Sequence, residues 1–339
     1  FVGFDGSQTA KCTLAQSSLT TNFCPDTHLF TDCAYVYIEM VYDAEKLNSL
    51  PQMSFDVQGK KVFDPRDSST AFSQNPALII RDFLTDQTYG MKALASEIND
   101  TTSGGGFSAA ANTCDQDVTL ADNSTTEKRY RANGFTNMSA NPEGIVEGLL
   151  TSCAGHITFT NGVFNIFVGA AQTPSLTLTD DDLLQPIQIT TRPRGGSLYN
   201  QVKAAFVDST QSFKAQDTPV ETDDNFVNAD TPNGASGSIA NFKKLLEIQT
   251  PFSTTHTQAQ RLARIALKET RNSIRLDAIV GLRFLEAQPM DWIQVTNERL
   301  NFSQKVFRIE TMRLVPIGDK DTPTLAVELN LKENASAVY

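Results

Sequence analysis

The segment Thr255-His-Thr-Gln-Ala-Gln-Arg-Leu-Ala-Arg-Ile-Ala-Leu-Lys-Glu-Thr-Arg271 is followed almost at once by Ile274-Arg-Leu-Asp-Ala-Ile-Val-Gly-Leu-Arg-Phe284. In the first stretch Ala259, Leu262, Ala263 and Ala266 fall on one side at 100° per residue, and Arg261, Arg264, Lys268 and Arg271 fall on the other. That is an amphipathic helix over 255–271. In the second, Ile274, Leu276, Ala278, Val280, Leu282 and Phe284 alternate with mostly polar or small residues, the period of a half-buried strand. Trp292 to Thr296, Lys305 to Leu314 and Leu325 to Leu331 repeat the strand signal, as do Ile187–Thr191 and Leu198–Val207 upstream. Residues 174–339 therefore read as a β-barrel or sandwich covered by the helix.

Working outward, residues 67–173 mix the two periods. Asn75-Pro76 and Asn141-Pro142 each place a favoured N-cap before a proline that loses no helical hydrogen bond at N1, and an apolar face follows both. Gly155 stops the second helix, and a third short helix is expected near 109–115. His156–Thr160 and Val163–Val168 flank Asn161-Gly162, the pair that supplies two positive φ values to a type I′ hairpin turn. Residues 1–66 hold a polar arm and two strand-like runs, Tyr35–Tyr42 and Phe55–Phe63. The fold class is thus α+β, with β-barrel domains flanking a mixed α/β middle domain and boundaries at 66/67 and 173/174.

The chain has 339 residues, with 28 Lys and Arg against 39 Asp and Glu, a net charge of −11. A surface of that sign repels phosphate backbones, which argues against sequence-specific nucleic-acid binding. The balance is uneven: residues 1–59 hold two bases, Lys11 and Lys46, whereas the stretch 256–313 is locally basic. The acids of 216–237 (Asp217, Glu221, Asp223, Asp224, Asp230) come without a base and read as a solvated loop. No stretch is apolar enough to span a membrane. The opening Phe1-Val-Gly-Phe4 lacks a Met, as expected of a piece of a longer polypeptide.

Reactive constellations are missing from the sequence. There is no phosphate-binding glycine loop, zinc-protease helix or nucleophile elbow. Adjacent Asp180, Asp181 and Asp182 point to alternate faces when extended and read as a polar turn. His156 and His256 lack a triad-like context. Five cysteines leave at least one unpaired and suit a chain folded inside a cell; a disulfide among Cys12, Cys24 and Cys33 stays open. No catalytic, cofactor-binding or metal residue is assigned. The basic helix face (Arg261, Arg264, Lys268, Arg271) is the candidate interface, open to water, to an acidic neighbouring protein or to the phosphates of DNA.

Three groups of residues carry a resemblance. The first is Ala34–Met40, Gly59-Lys-Lys-Val-Phe-Asp-Pro-Arg66 and Asn75-Pro-Ala-Leu78 with Asp82–Asp86 and Tyr89-Gly90. The second is Tyr130–Gly134, Asn141-Pro142, Leu149-Leu150 and Ala154-Gly155 before the Asn161-Gly162 turn. The third is Asn200–Lys203, Gln258–Ile265 and Lys305–Ile309. In this order they resemble the tail-tip hub proteins of long-tailed, non-contractile (siphovirus) bacteriophages, the lambda-type tip attachment protein J family. The Gly104–Gly106 run and the cysteine-bearing start match nothing in that pattern, and the long receptor-binding region of such proteins has no counterpart here.

The resemblance implies a structural, non-enzymatic virion protein of the tail tip, assembled in the host cytoplasm. It implies a homotrimeric ring that continues the tail tube, holds distal tail and tip or fibre proteins, and passes DNA through its lumen without specific binding or any cofactor. It places Lys60, Phe63, Asp64, Pro65 and Arg66 in a family motif, with Phe63 expected in the core. A hub of a contractile tail or gene-transfer particle keeps the same mechanics; a cell-wall hydrolase module would need paired carboxylates or a zinc set that the sequence does not display.

Overall fold

The computed structural model describes residues 2–5, 30, 31, 33–40, 43, 45, 46, 49, 51, 53, 55–137, 139–191, 198–231, 242–318 and 323–339. They fall into two compact units, Phe1–Gln58 and Gly59–Tyr339. In the first, strands β1 (Val2–Asp5) and β2 (Ala34–Tyr37) pair antiparallel. Cys12 and Cys24 lie outside the described residues.

The second unit opens with the hairpin β3 (Lys61–Asp64) and β4 (Ser69–Phe72), so the run expected from Phe55 becomes regular only at Lys61. Helix α1 (Pro76–Thr85) starts where Asn75 caps it, its side-chain oxygen accepting from the Ala77 N–H at 3.1 Å. Helix α2 (Phe107–Cys114) and the short pair β5 (Asp117–Thr119) and β6 (Thr126–Lys128) follow. Helix α3 (Pro142–Thr151) repeats the capping scheme with Asn141. The hairpin of β7 (His156–Thr160) and β8 (Val163–Phe167) turns on Asn161 and Gly162, both at positive φ (55° and 79°), as the type I′ geometry requires. Leu78, Ile80, Leu84, Phe107, Tyr130, Leu149 and Ile166 fill the core between these helices and the hairpin.

Beyond residue 174 the chain builds two sheets. Their strands are β9 (Leu176–Leu178), β10 (Gln188–Thr190), β11 (Gln201–Asp208), β12 (Lys214–Asp217), β13 (Glu221–Thr222), β14 (Leu245–Thr250), β15 (Arg275–Val280), β16 (Trp292–Asn297), β17 (Phe302–Ile317) and β18 (Thr324–Glu333). The larger sheet has the order β10-β15-β18-β17-β16-β9, antiparallel except where β9 runs parallel to β16. Its core is Leu276, Val280, Ile293, Phe307, Ile309, Val327, Leu329 and Leu331. In the smaller sheet β11 pairs with β12 and β13 antiparallel and with β14 in parallel. The fold is α+β, and among the described residues no ladder closes either sheet into a barrel.

Three expectations shift in detail. The strand from Ile274 stops at Val280, because Gly281 leads into a 3-10 turn, Leu282–Glu286, that buries Phe284 and leaves Leu282 and Leu285 exposed. The acidic loop is partly ordered structure: Asp217 ends β12, Glu221 starts β13, and Asp224–Asp230 form helix α4, capped by Asp223. Finally, helix α5 (His256–Arg271) covers the smaller sheet, not the larger one. Ala259, Ala263 and Leu267 pack on Val202, Ala204 and Phe206 of β11, while Leu262 and Ile265 enter the helical core.

Candidate interface: the basic helix, the 60–66 motif and an apolar groove

All four basic side chains of α5 turn out to be held by the chain's own acceptors. Arg261 donates Nη2 to Glu127 at 2.8 Å and to the Arg129 carbonyl at 2.9 Å. Lys268 donates to the Ala337 carbonyl in the C-terminal turn. Arg271 grips Asp230 of α4 and lies 4.7 Å over the Phe226 ring. Only Arg264, 63% exposed in its side chain and paired with Glu221 at 3.3 Å, extends well into solvent. The acids of the supposed loop and the bases of the helix are therefore partners. Arg271 holds the Asp230 carboxyl below the ordinary carboxylate range.

The 60–66 motif is a staple with one outward ring. Lys60 reaches Asp82 (2.8 Å) and Asp86 (2.7 Å) and sits 4.6 Å over Tyr89, tying the start of β3 to the end of α1. Partial burial works against its charge, yet these hydrogen bonds win and raise its pKa, while Lys60 in turn lowers that of Asp86. Arg66 pairs with Asp64 at 2.6 Å and with Asp115, beyond α2, at 2.9 Å; Pro65 opens the turn between them. Phe63 is not in the core: it is 38% exposed, with the Arg81 guanidinium 5.0 Å from its ring. Alternation along β3 turns Val62 inward instead.

What the sequence did not display is an open groove of about 850 Å³ between α3, α5, β7 and β14. Val146, Leu150, Ile157, Phe164, Leu262 and Ile265 give it an apolar lining, with Glu143, Glu147 and Glu269 among the polar residues. A volume in this range can hold a ligand or a partner's side chains. No single segment carries it, since its walls come from elements about 100 residues apart. β17 and β18 supply a second unfinished surface. They pair as far as Ile317 and Thr324, beyond the last β17 residue opposite β16 (Arg308) and the last β18 residue opposite β15 (Val327). Leu314 opposes Val327 and Pro316 opposes Leu325 on the face that, further down, is the buried core. Leu314 and Leu325 are 56% and 55% exposed.

Asp180–Asp182 form a 3-10 turn in which Asp182 caps Thr179 and pairs with Arg283. Among the described residues no group of His, Cys, Asp and Glu is arranged to hold a metal ion, and no helix is long and apolar enough to cross a membrane. Cys114 and Cys153 are fully buried thiols, pushed up in pKa by desolvation, to about 12 for Cys153.

Baseplate hub protein pb3 of Escherichia phage T5 is 24% identical over 297 residues, which is 82% of this chain; the chain spans 30% of that protein's length. Among solved structures, the virion of a native gene transfer agent particle aligns with 58% of this chain and 40% of its own, at 14% identity and a TM-score of 0.41. A tail protein from Neisseria meningitidis MC58 aligns with 62% of this chain and 59% of its own, also at 14% identity and a TM-score of 0.41. The family model described as putative phage tail protein (Phage-tail_3) matches residues 142–312, from the first turn of α3 through the shared part of β17, and the chain belongs to that family.

Proposed function

We propose that the chain is a hub component at the distal end of a phage tail. In this reading three copies form a ring that continues the tail tube, anchors the tip proteins and lets DNA pass during ejection, and no bond is made or broken. Family membership supports the tail assignment, and the likeness to the baseplate hub protein of phage T5 supports the hub. The observation that carries the self-assembly is that the folded chain leaves surfaces unfinished. The β17–β18 ribbon extends a core face into solvent at Leu314 and Leu325, and the apolar groove stands open beside α3. These are two different patches, and contacts between unlike patches generate rings when the rotation closes. The net charge of −11 suits a DNA channel, since a polyanion slides past a wall that repels it. Arg264, the exposed member of the basic helix, pairs with Glu221 at 3.3 Å and would exchange that partner for an acidic neighbour.

Cryo-electron microscopy of the particle that carries the chain tests this reading. Three copies around the tail axis at its distal end are expected. A single copy off the axis, or a lumen walled mainly by Lys and Arg, would overturn it.

A further inference from the structure

Phe135 is 96% exposed, yet the chain that leads to it is clamped. Gln258 of α5 accepts from the Arg131 N–H at 3.0 Å and donates to the Arg131 carbonyl at 2.8 Å. The Ala132 N–H reaches the Gln74 carbonyl at 2.8 Å, and the Asn133 N–H reaches that of Phe252 at 2.9 Å. Asn133 Nδ2 donates to Thr254 at 3.1 Å. A Cβ on Gly134 would lie 2.7 Å from the Phe252 ring, so this backbone is pressed close to its support. An aromatic side chain standing in water adds nothing to the single chain's core. Presented on fixed backbone, it loses little freedom when it docks, and aromatic residues and arginines are the usual anchors of interfaces.

The same segment carries positive charge. Burial of Tyr130 and Ala132 turns Arg129 and Arg131 outward. Arg129 donates Nε to the neutral Gln116 side chain, and the Arg131 guanidinium has no partner among the described residues. The groove between α3, α5, β7 and β14 has the opposite balance: an apolar lining, no Lys or Arg, and Glu143 and Glu147 from α3. These two glutamates are four residues apart on one helix face, so their charges repel. Both are exposed, and neither carboxylate has an ion pair or a hydrogen bond among the described residues. Glu269, the third acid of the groove, already accepts from Arg308 and Tyr339. The β17–β18 ribbon suits the groove less well. Its Arg313 faces Glu328 at 3.8 Å, so the two together bring no positive charge.

We infer that Phe135 of one copy seats in this groove of a second copy, with Arg129 and Arg131 set against Glu143 and Glu147. The inference rests on the ring proposed above and names a contact that closes it. A phenylalanine buries roughly 150–250 Å² on docking, and an open groove of about 850 Å³ has room for it. Val146, Leu150, Ile157 and Leu262 supply the apolar wall, and the charge pairs fix the register of the ring against it. Knob and groove are unlike patches, so each copy offers one of each and the contact runs head to tail.

The test uses tails that carry the full chain. In a density map, Phe135 of each copy should lie among Leu150, Ile157 and Leu262 of its neighbour. Copies ringed about the axis with Phe135 elsewhere, or seated on a different tail protein, would overturn this contact and leave the proposed function standing; a map without a ring would overturn both. Phe135→Ala and Arg131→Glu should each cut incorporation into tails by at least about tenfold, while the purified chain keeps its unfolding midpoint. The pair Glu143→Arg and Glu147→Arg should fail in the same way, and adding Arg129→Glu and Arg131→Glu to it should restore assembly. Normal tails from Phe135→Ala, or no rescue by the fourfold exchange in a chain that folds, would sink the contact. If the exchanged chain does not fold, the map decides alone.

Discussion

The Arg271 guanidinium holds the Asp230 carboxylate through two hydrogen bonds, of 3.0 and 2.5 Å, and so ties the last turn of α5 to α4. Both side chains are mostly buried, at 13% and 16% exposure, so removing one partner strands the other's charge. Arg271→Ala should cost roughly 3 kcal/mol of unfolding free energy, read from urea titration. A loss below about 1 kcal/mol would mean that the pair is solvated.

The same pair sets an acid limit. Because Arg271 depresses the folded Asp230 carboxyl below its ordinary 3.8, the unfolded chain takes up the proton first. The contribution is therefore complete above that value and is lost as pH falls through the folded pKa. Asp230→Asn should flatten this part of the stability–pH curve between about pH 5 and 2, while leaving its slope above pH 6 unchanged.

Phe63 and Val62 make a matched comparison. Phe63→Ala removes a half-exposed ring and one cation–π contact and should cost about 1 kcal/mol. Val62→Ala, at a buried position, should cost roughly 2 kcal/mol. Equal or reversed losses in chemical denaturation would contradict the register of β3.

At Gly90 the backbone comes too close for any side chain. A Cβ there would lie 2.1 Å from the Phe83 carbonyl oxygen and 2.8 Å from that of Asp86. Gly90→Ala should cost at least about 2–3 kcal/mol and lower the soluble yield, because the atoms in the way are main chain and cannot rotate aside.

Leu314→Glu and Leu325→Glu separate folding from assembly. Both residues are exposed in the single chain, so each change should leave monomer stability within about 0.5 kcal/mol. Incorporation into tails, counted by electron microscopy, should fall. Normal assembly of the double variant would remove the ribbon from the list of contacts.

Much of the local structure was legible because it rests on local chemistry. Asn75-Pro76, Asn141-Pro142 and Asn161-Gly162 each determine a cap or a turn through the residues themselves, and the 3.6-residue stripe of α5 runs within one residue of its observed bounds. The partners of the basic face were illegible for the opposite reason. Arg261 meets Glu127, 134 residues earlier, and Arg271 meets Asp230, 41 residues earlier. An exposed-looking charge pattern is the same whether its complement is water, another protein or a distant loop of the same chain. Phe63 misled through alternation: aromatic character marks β3 as a strand, but only the pairing with β4 decides which side of it faces inward.

Helix α5 touches the smaller sheet with one flank and the helical core with another, while its final turns reach β17 and the C-terminal residues. Melting either the helical core or the smaller sheet then uncovers part of that helix, so the two are coupled through it. Such coupling makes the elements packed on α5 give way together, the behaviour that the proposed ring would need.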